Sequence, residues 1–348
     1  MGKNRILFDL VIDRLPGASS GDKIKLCEKF DREADLFVLS KEDIDDFLGK
    51  RLKSWNLEGL LSQAEKDERF LTRNGIHGVS YAEEDYPPLL RELFDPPAFI
   101  YYQGSLPAGE KPLAAVVGTR KPSGAGAAAA FDFGRAFGRR GIPVVSGLAL
   151  GIDALSHRGN LEGGAPTVAV LGSALDRVYP VSNRPLARRI LESGGALLSE
   201  YPPGTGPNKW NFPARNRIIA ALSRGTLIVE APSKSGALIT ADFALELGRD
   251  LWVSRVGVES RLGEGTRRLA GEGAPVITGI EDILEDWGLG SQPGSEGSPN
   301  LRFAVPPLQG LQGGDTIPLT GTALAESLAR SLNITSGLEG RSEDKYGC

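Results

Sequence analysis

The sequence predicts an α/β molecule: a doubly wound, mostly parallel sheet of Rossmann-like type behind a small N-terminal helical domain. Three observations carry this. From Leu113 onward, short, near-continuous apolar runs alternate with amphipathic stretches of helical length, as in a sheet covered on both faces. Several of these runs end in glycine-containing turns that feed the next helix. Ahead of residue 80 the apolar positions recur instead at three and four residues among acids and lysines, a helical period.

In chain order, Leu36, Phe37, Leu39, Ile44, Phe47 and Leu48 set the helical rhythm between Leu26 and Arg73, and Ser40 opens a Ser-Lys-Glu-Asp capping box. Leu15-Pro-Gly-Ala-Ser-Ser-Gly reads as a turn between helices, with a helix–hairpin–helix element the less favoured alternative. Prolines in Asp85–Leu90 and Asp95–Ala98 end the helical section and lead into the β-like run Phe99-Ile-Tyr-Tyr. Strands are expected at 113–118, 142–146, 167–171, 196–199, 226–230, 251–254 and 275–278. Helices fill the gaps at 124–140, 151–162, 183–193, 213–223, 236–248, 265–271 and 280–287. Past Trp287 the Gly/Ser/Pro composition reads as a flexible linker, and beyond it only Thr322–Asn333 looks helical. The domains expected are therefore 1–80, helical; 81–111, a proline-rich joint and lead-in strand; 112–287, Rossmann-like; and 288–348, linker and short tail.

With 348 residues, 41% hydrophobic and 24% charged, the chain can bury a sizeable core, which excludes wholesale disorder. No run approaches the roughly 18 apolar residues of a membrane span. The start, Met1 to Asp9, puts an acid where a signal peptide needs apolar residues, so a soluble cytoplasmic protein is expected. Two cysteines, Cys27 and Cys348, cannot make a disulfide framework, and two histidines, His77 and His157, leave a His-rich metal site without its parts. No metal, cofactor or catalytic residue is assigned. The net charge is −4, yet residues 112–287 hold 20 Lys and Arg against 17 Asp and Glu, so local clustering matters more than the total.

In open α/β sheets ligands bind beyond the carboxyl ends of the strands. After the first of these strands, Gly118-Thr119-Arg120-Lys121-Pro-Ser-Gly offers amides and the positive end of a helix dipole, with Arg120 and Lys121 adding charge, which suits phosphate. Ser146 and Gly147 could add further amides, and Ser235 and Gly236 open a later helix with Thr240 one turn in. The strongest feature is Lys209-Trp-Asn-Phe-Pro-Ala-Arg-Asn-Arg217. There Lys209, Arg215 and Arg217 are interleaved with Trp210, Phe212 and Asn216: cations for phosphates, rings for unpaired bases. Ile218, Ile219 and Leu222 take the core face of the helix after Pro213, so the three cations need not share one ligand. No G-x-G-x-x-G turn and no acid ending the second strand are present, which disfavours a nicotinamide dehydrogenase. Asp153 and His157 share a helix face, where a buried structural hydrogen bond is a better reading than a catalytic dyad.

These residues resemble the DprA/Smf family of bacterial DNA-processing proteins. The likeness rests on Tyr86-Pro-Pro-Leu89, Val117-Gly-Thr-Arg120, Ser146-Gly-Leu-Ala-Leu-Gly-Ile-Asp153 with His157, and Gly172 followed by Val178-Tyr-Pro180. It continues through Ser199-Glu-Tyr-Pro-Pro-Gly204, Phe212 to Ala220, and Ser235-Gly-Ala-Leu-Ile-Thr240, in family order across about residues 80–287. The resemblance implies a non-catalytic, dimeric protein that binds single-stranded DNA, helps load RecA on it and protects incoming strands in natural transformation. It also implies that Gly118, Thr119, Arg120, Ser146, Gly147 and Lys209 hold phosphate, that Phe212 contacts a base, and that Arg215, Asn216 and Arg217 shape the pocket. The helical N-terminal segment occupies the place of the family's SAM-like domain.

The chain departs from the family pattern at Val181, where many members carry Lys, at Val253-Ser-Arg255-Val-Gly257, and at Gly265-Thr-Arg267. No clear winged helix follows residue 288. The alternative is a nucleotide-processing enzyme of the lysine-decarboxylase-like phosphoribohydrolase type. Its Pro-Gly-Gly-x-Gly-Thr turn is replaced here by Pro232-Ser-Lys-Ser-Gly-Ala237, with Asp242 and Glu246 at other spacings. A scaffold that has lost its ligand is a third reading, against which Arg120, Lys209 and Arg217 speak.

Overall fold

The computed structural model describes residues 6–30, 33–106 and 112–290. The chain divides into two units, Met1–Gly290 and Ser291–Cys348, and the described structure belongs to the first. From residue 291 on, the expected linker, the Thr322–Asn333 helix and the tail lie outside the described residues.

The helical segment comprises α1 (Ile6–Asp13), α2 (Ser20–Lys29), α3 (Glu33–Val38), α4 (Lys41–Leu48) and α5 (Leu57–Asn74). Both Ser19 with Asp22 and Ser40 with Asp43 form complete capping boxes, which start α2 and α4. Phe8, Val11, Ile12, Leu26, Leu36 and Ile44 are fully buried together, whereas Phe37 and Phe47, in the same apolar rhythm, stay exposed. The Tyr101 hydroxyl donates to Asp13 at 2.6 Å, tying the end of α1 to the sheet.

The sheet is built from β1 (Ile76–Ser80), β2 (Phe99–Gly104), β3 (Ala114–Val117), β4 (Val144–Ser146), β5 (Val168–Val170), β6 (Ala196–Ser199), β7 (Gly225–Ile228), β8 (Asp250–Ser254) and β9 (Val276–Ile277). Their order is β1-β2-β6-β5-β4-β3-β7-β8-β9. Strands β6 to β9 of that order are mutually parallel, while β1 and β2 run antiparallel at one edge. The fold is thus a mostly parallel, doubly wound α/β sheet, with strands β3 to β8 buried along nearly their whole length. Strand β1 lies inside the stretch that the helical period assigned to the N-terminal domain. It follows α5 directly and pairs with β2, Val79 opposite Ile100, and its five residues with a central glycine leave too little alternation to read.

Crossing helices α6 (Gly124–Arg139), α7 (Ile152–Glu162), α8 (Arg184–Glu192), α9 (Asn211–Leu222), α10 (Gly236–Glu246), α11 (Arg255–Glu259), α12 (Glu264–Gly271) and α13 (Glu281–Asp286) complete the fold. Helix α11 has no counterpart among the expected helices. At Val253-Ser-Arg-Val-Gly the strand ends and Ser254 caps a short helix, its hydroxyl accepting the Gly257 N–H at 2.9 Å.

Candidate functional site

Strand β3 stands between β4 and β7, and the chain winds away from it in both directions. The loops after β3 and β7 therefore diverge and leave a crevice at the carboxyl edge of the sheet. A cleft of about 1120 Å³ opens there. Gly118, Thr119, Arg120 and Lys121 line it from the β3 turn, Lys209, Phe212, Arg215 and Asn216 from the start of α9, and Ser235, Gly236 and Thr240 from the start of α10. The structure thus brings together residues that the chain spreads over more than a hundred positions.

Two of the three expected anion cradles hold a carboxylate of the protein itself. Ser123, which caps α6, gives its backbone N–H (2.7 Å) and hydroxyl (2.9 Å) to Glu230, the buried residue that follows β7. Thr119 N–H goes to the Glu230 carbonyl at 2.8 Å. In the second turn Gly147 N–H donates to Asp153 at 3.1 Å, and Ser146 is fully buried with its hydroxyl donating to the Val116 carbonyl at 2.7 Å. Ser146 and Gly147, expected to hold phosphate, are therefore spent inside the fold; Gly147 borders only a small recess beside the cleft. The turn opening α10 differs, because the Ser235 hydroxyl accepts the Ala237 N–H, its backbone N–H goes to the Pro232 carbonyl, and no carboxylate caps the turn among the described residues.

The cations divide in the same way. Arg215 is 4% exposed and donates to the carbonyls of Gly147 (2.8 Å) and Val170; burial pulls its pKa down to about 10, against the pull of neighbouring Asp153. Burial likewise pushes the Asp153 carboxyl above the usual range, with Arg215 opposing. Arg217, 8% exposed, does not line the cleft: it forms a two-point pair with Glu200 at 2.7 and 2.6 Å and donates to the Asp95 carbonyl at 3.0 Å. Two expected ligand cations thus brace the floor and flank of the cleft, since a helix whose core face is Ile218, Ile219 and Leu222 turns Arg215 and Arg217 inward with it.

Arg120, Lys121 and Lys209 face the cleft, and the structure adds Lys234. All four are exposed, and among the described residues none forms an ion pair. Arg120 lies 5.5 Å from the centre of the Phe212 ring, and Lys209 lies 4.6 Å from that of Trp210. Phe212 also meets Tyr179 at 5.6 Å between ring centres. A Cβ at Gly172 would stand 2.8 Å from Phe212, so the absence of a side chain there seats the ring. Asn216 donates to the Gly236 carbonyl at 3.0 Å, joining the starts of α9 and α10. Lys234 and Tyr179 were missed as site residues, though both stand in stretches singled out in the sequence, one in the turn before α10 and the other in Val178-Tyr-Pro180.

The Asp153–His157 pair also resolves. The Asp153 carboxylate accepts the Gly147 N–H in the turn after β4, and His157 Nδ1 lies 2.7 Å from the Thr167 hydroxyl, fully buried, with its pKa pulled down to about 3 by desolvation. It is a neutral structural imidazole at neutral pH.

The family model described as DNA recombination-mediator protein A matches residues 77–288, which hold the cleft and all of the sheet but Ile76. The chain belongs to this family. Protein Smf of Synechocystis sp. is 40% identical over 249 residues, covering 70% of this chain and 60% of that protein. DNA processing protein DprA of Streptococcus pneumoniae is 39% identical over 208 residues, 60% of this chain and 73% of that one. The chain therefore spans less than two thirds of the Synechocystis relative's length. The X-ray structure of pneumococcal DprA superposes with a TM-score of 0.65 at 32% identity, covering 82% of this chain and 98% of that one. DprA of Helicobacter pylori, whose structure is described for its single-stranded DNA binding mode, gives 0.54 at 30% identity, covering 61% and 95%. Among the described residues of this DprA/Smf family member, no helix is long and apolar enough to cross a membrane.

Proposed function

We propose that the cleft captures single-stranded DNA without regard to sequence, Arg120, Lys121, Lys209 and Lys234 holding phosphates while bases lean on Phe212. The observation that carries this reading is the set of four cations without ion pairs among the described residues that line one cleft with Phe212 at the switch point of the sheet. The name under which the H. pylori relative was solved supports it. A duplex keeps its bases stacked inside and presents no ring-accessible face, so it binds less well. The phosphoribohydrolase alternative draws no support from the cleft: the turn before α10 lacks the paired glycines. Asp242, whose carboxyl burial pushes up, sits on α10 outside the cleft lining.

The finer role we infer is protection of single strands and help in loading RecA on them during recombination or transformation, by a homodimer without catalytic activity. The test is a fluorescence-anisotropy titration of labelled single-stranded and duplex oligonucleotides, with wild type and an Arg120→Glu/Lys209→Glu variant whose fold is verified by circular dichroism. Preference for the single strand, abolished in the variant, is expected. Equal binding of wild type and variant would sink the reading. RecA filament assembly on protein-coated single strands and light scattering for the dimer address the remaining claims.

A further inference from the structure

Beside the cleft, past Tyr179, the surface changes character. Leu150, Tyr179 and Val181 are exposed to 47, 45 and 59%, an apolar group of side chains beside the cleft. A small recess lined by Arg120, Leu150, Tyr179, Pro180 and Phe212 joins that group to the cleft. From Val181 the chain runs straight into α8, whose Leu186, Ala187 and Ile190 are buried while Arg184 and Arg188 stand exposed one turn apart on a shared face. Neither arginine forms an ion pair among the described residues, although Glu192 lies one turn beyond Arg188 on α8. The start of α8 is fixed to the site itself: Asn183 donates to the carbonyls of Leu148 (2.9 Å) and Ala149 (3.3 Å) in the turn after β4. Leu148 holds a φ of 56° there, a left-handed conformation rare for leucine.

Taking the cleft as a single-strand site, which this step rests on, we propose that the strand leaves it over Leu150, Tyr179 and Val181 and continues onto α8, Arg184 and Arg188 each holding a further phosphate. A single strand alternates flat apolar bases with anionic phosphates. This track offers apolar contacts and then two cations about 6 Å apart along the helix axis. Because Asn183 anchors the helix to the turn that floors the cleft, the two parts of the path keep a fixed register. Contacts in the cleft and on α8 then act on one strand, and a strand too short to reach α8 gains nothing from them.

The test uses the full chain with labelled oligothymidine of about 5 and about 15 nucleotides, the range of single-strand site sizes, across several salt concentrations. The variants are Arg184→Glu/Arg188→Glu and Arg184→Ala/Arg188→Ala. A control reversal, Lys66→Glu/Arg73→Glu on exposed positions of α5, carries the same change in net charge. For the α8 variants the short strand should bind as to wild type. The long strand should lose its extra affinity, and its log–log salt slope should fall by about 1.4, two phosphates at about 0.7 each. The control should leave both unchanged. Unchanged long-strand affinity and slope in the α8 variants would overturn the track and leave the patch to a partner protein, as would an equal loss in the control. If wild type binds neither strand, the cleft reading fails first and the track with it.

Discussion

Arg215 and Arg217 sit two positions apart beside Lys209 and look like ligand cations, yet both are enclosed, and each has a different internal task. Arg217 faces the Glu200 carboxylate with two hydrogen bonds, and both side chains are largely buried. Removing one partner strands the other charge, so Arg217→Ala should destabilise the fold by roughly 3–5 kcal/mol in chemical denaturation. The affinity of the molecules that remain folded for single-stranded DNA should change little. A second prediction belongs to His157. Its folded pKa of about 3 lies below the usual 6.5, so the unfolded chain takes a proton that the folded chain refuses. Its contribution is whole above pH 6.5 and is lost as pH falls toward 3. Between pH 7 and pH 5 wild type should lose about 2 kcal/mol through this group, a loss that His157→Gln abolishes when the two denaturation curves are compared.

Helices α6 and α7 pack backbone to backbone. A Cβ at Gly159 would stand 2.0 Å from the Phe131 carbonyl oxygen, and one at Gly134 would stand 2.2 Å from that of Ser156. Gly159→Ala should therefore cost about 1–3 kcal/mol and lower the melting temperature by several degrees, despite alanine's better helix propensity, because neither helix can move without shifting a turn at the cleft. The sequence alone places these helices within a residue of where they lie, since each follows a glycine-containing turn at the end of an apolar run. It did not foresee that Glu230 takes the N–H and hydroxyl of Ser123, the cap of α6, or that Asp153 takes the Gly147 N–H in the turn ahead of α7. Glu230 reaches Ser123 from over a hundred positions away, and nothing local marks such a pairing. A Gly-rich turn ahead of a helix looks the same whether its anion is a ligand or the protein's own carboxylate.

For the whole molecule, charge is decided by placement. The chain is net acidic, at −4, yet four cations without ion pairs among the described residues line one cleft. If each holds one phosphate, single-strand affinity should fall with salt at a log–log slope of about 3. An anisotropy titration at several salt concentrations measures it. A slope near zero would remove phosphate contact as the basis of binding.

The sequence by itself determined the alternation of strands and helices, the carboxyl edge as the place of the cleft, and Arg120, Lys121, Lys209 and Phe212 as residues that line it. The alternation follows from local period, Arg120 and Lys121 from position at a strand's end, and Lys209 and Phe212 from the interleaving of cations and rings in one short stretch. Only the tertiary structure decided that β7 lies beside β3, that β1 and β2 extend the sheet antiparallel, and which charged groups are already answered within the fold. Pairing between distant segments depends on which buried surfaces and buried charges satisfy one another in space, and that information is carried by no single stretch of chain.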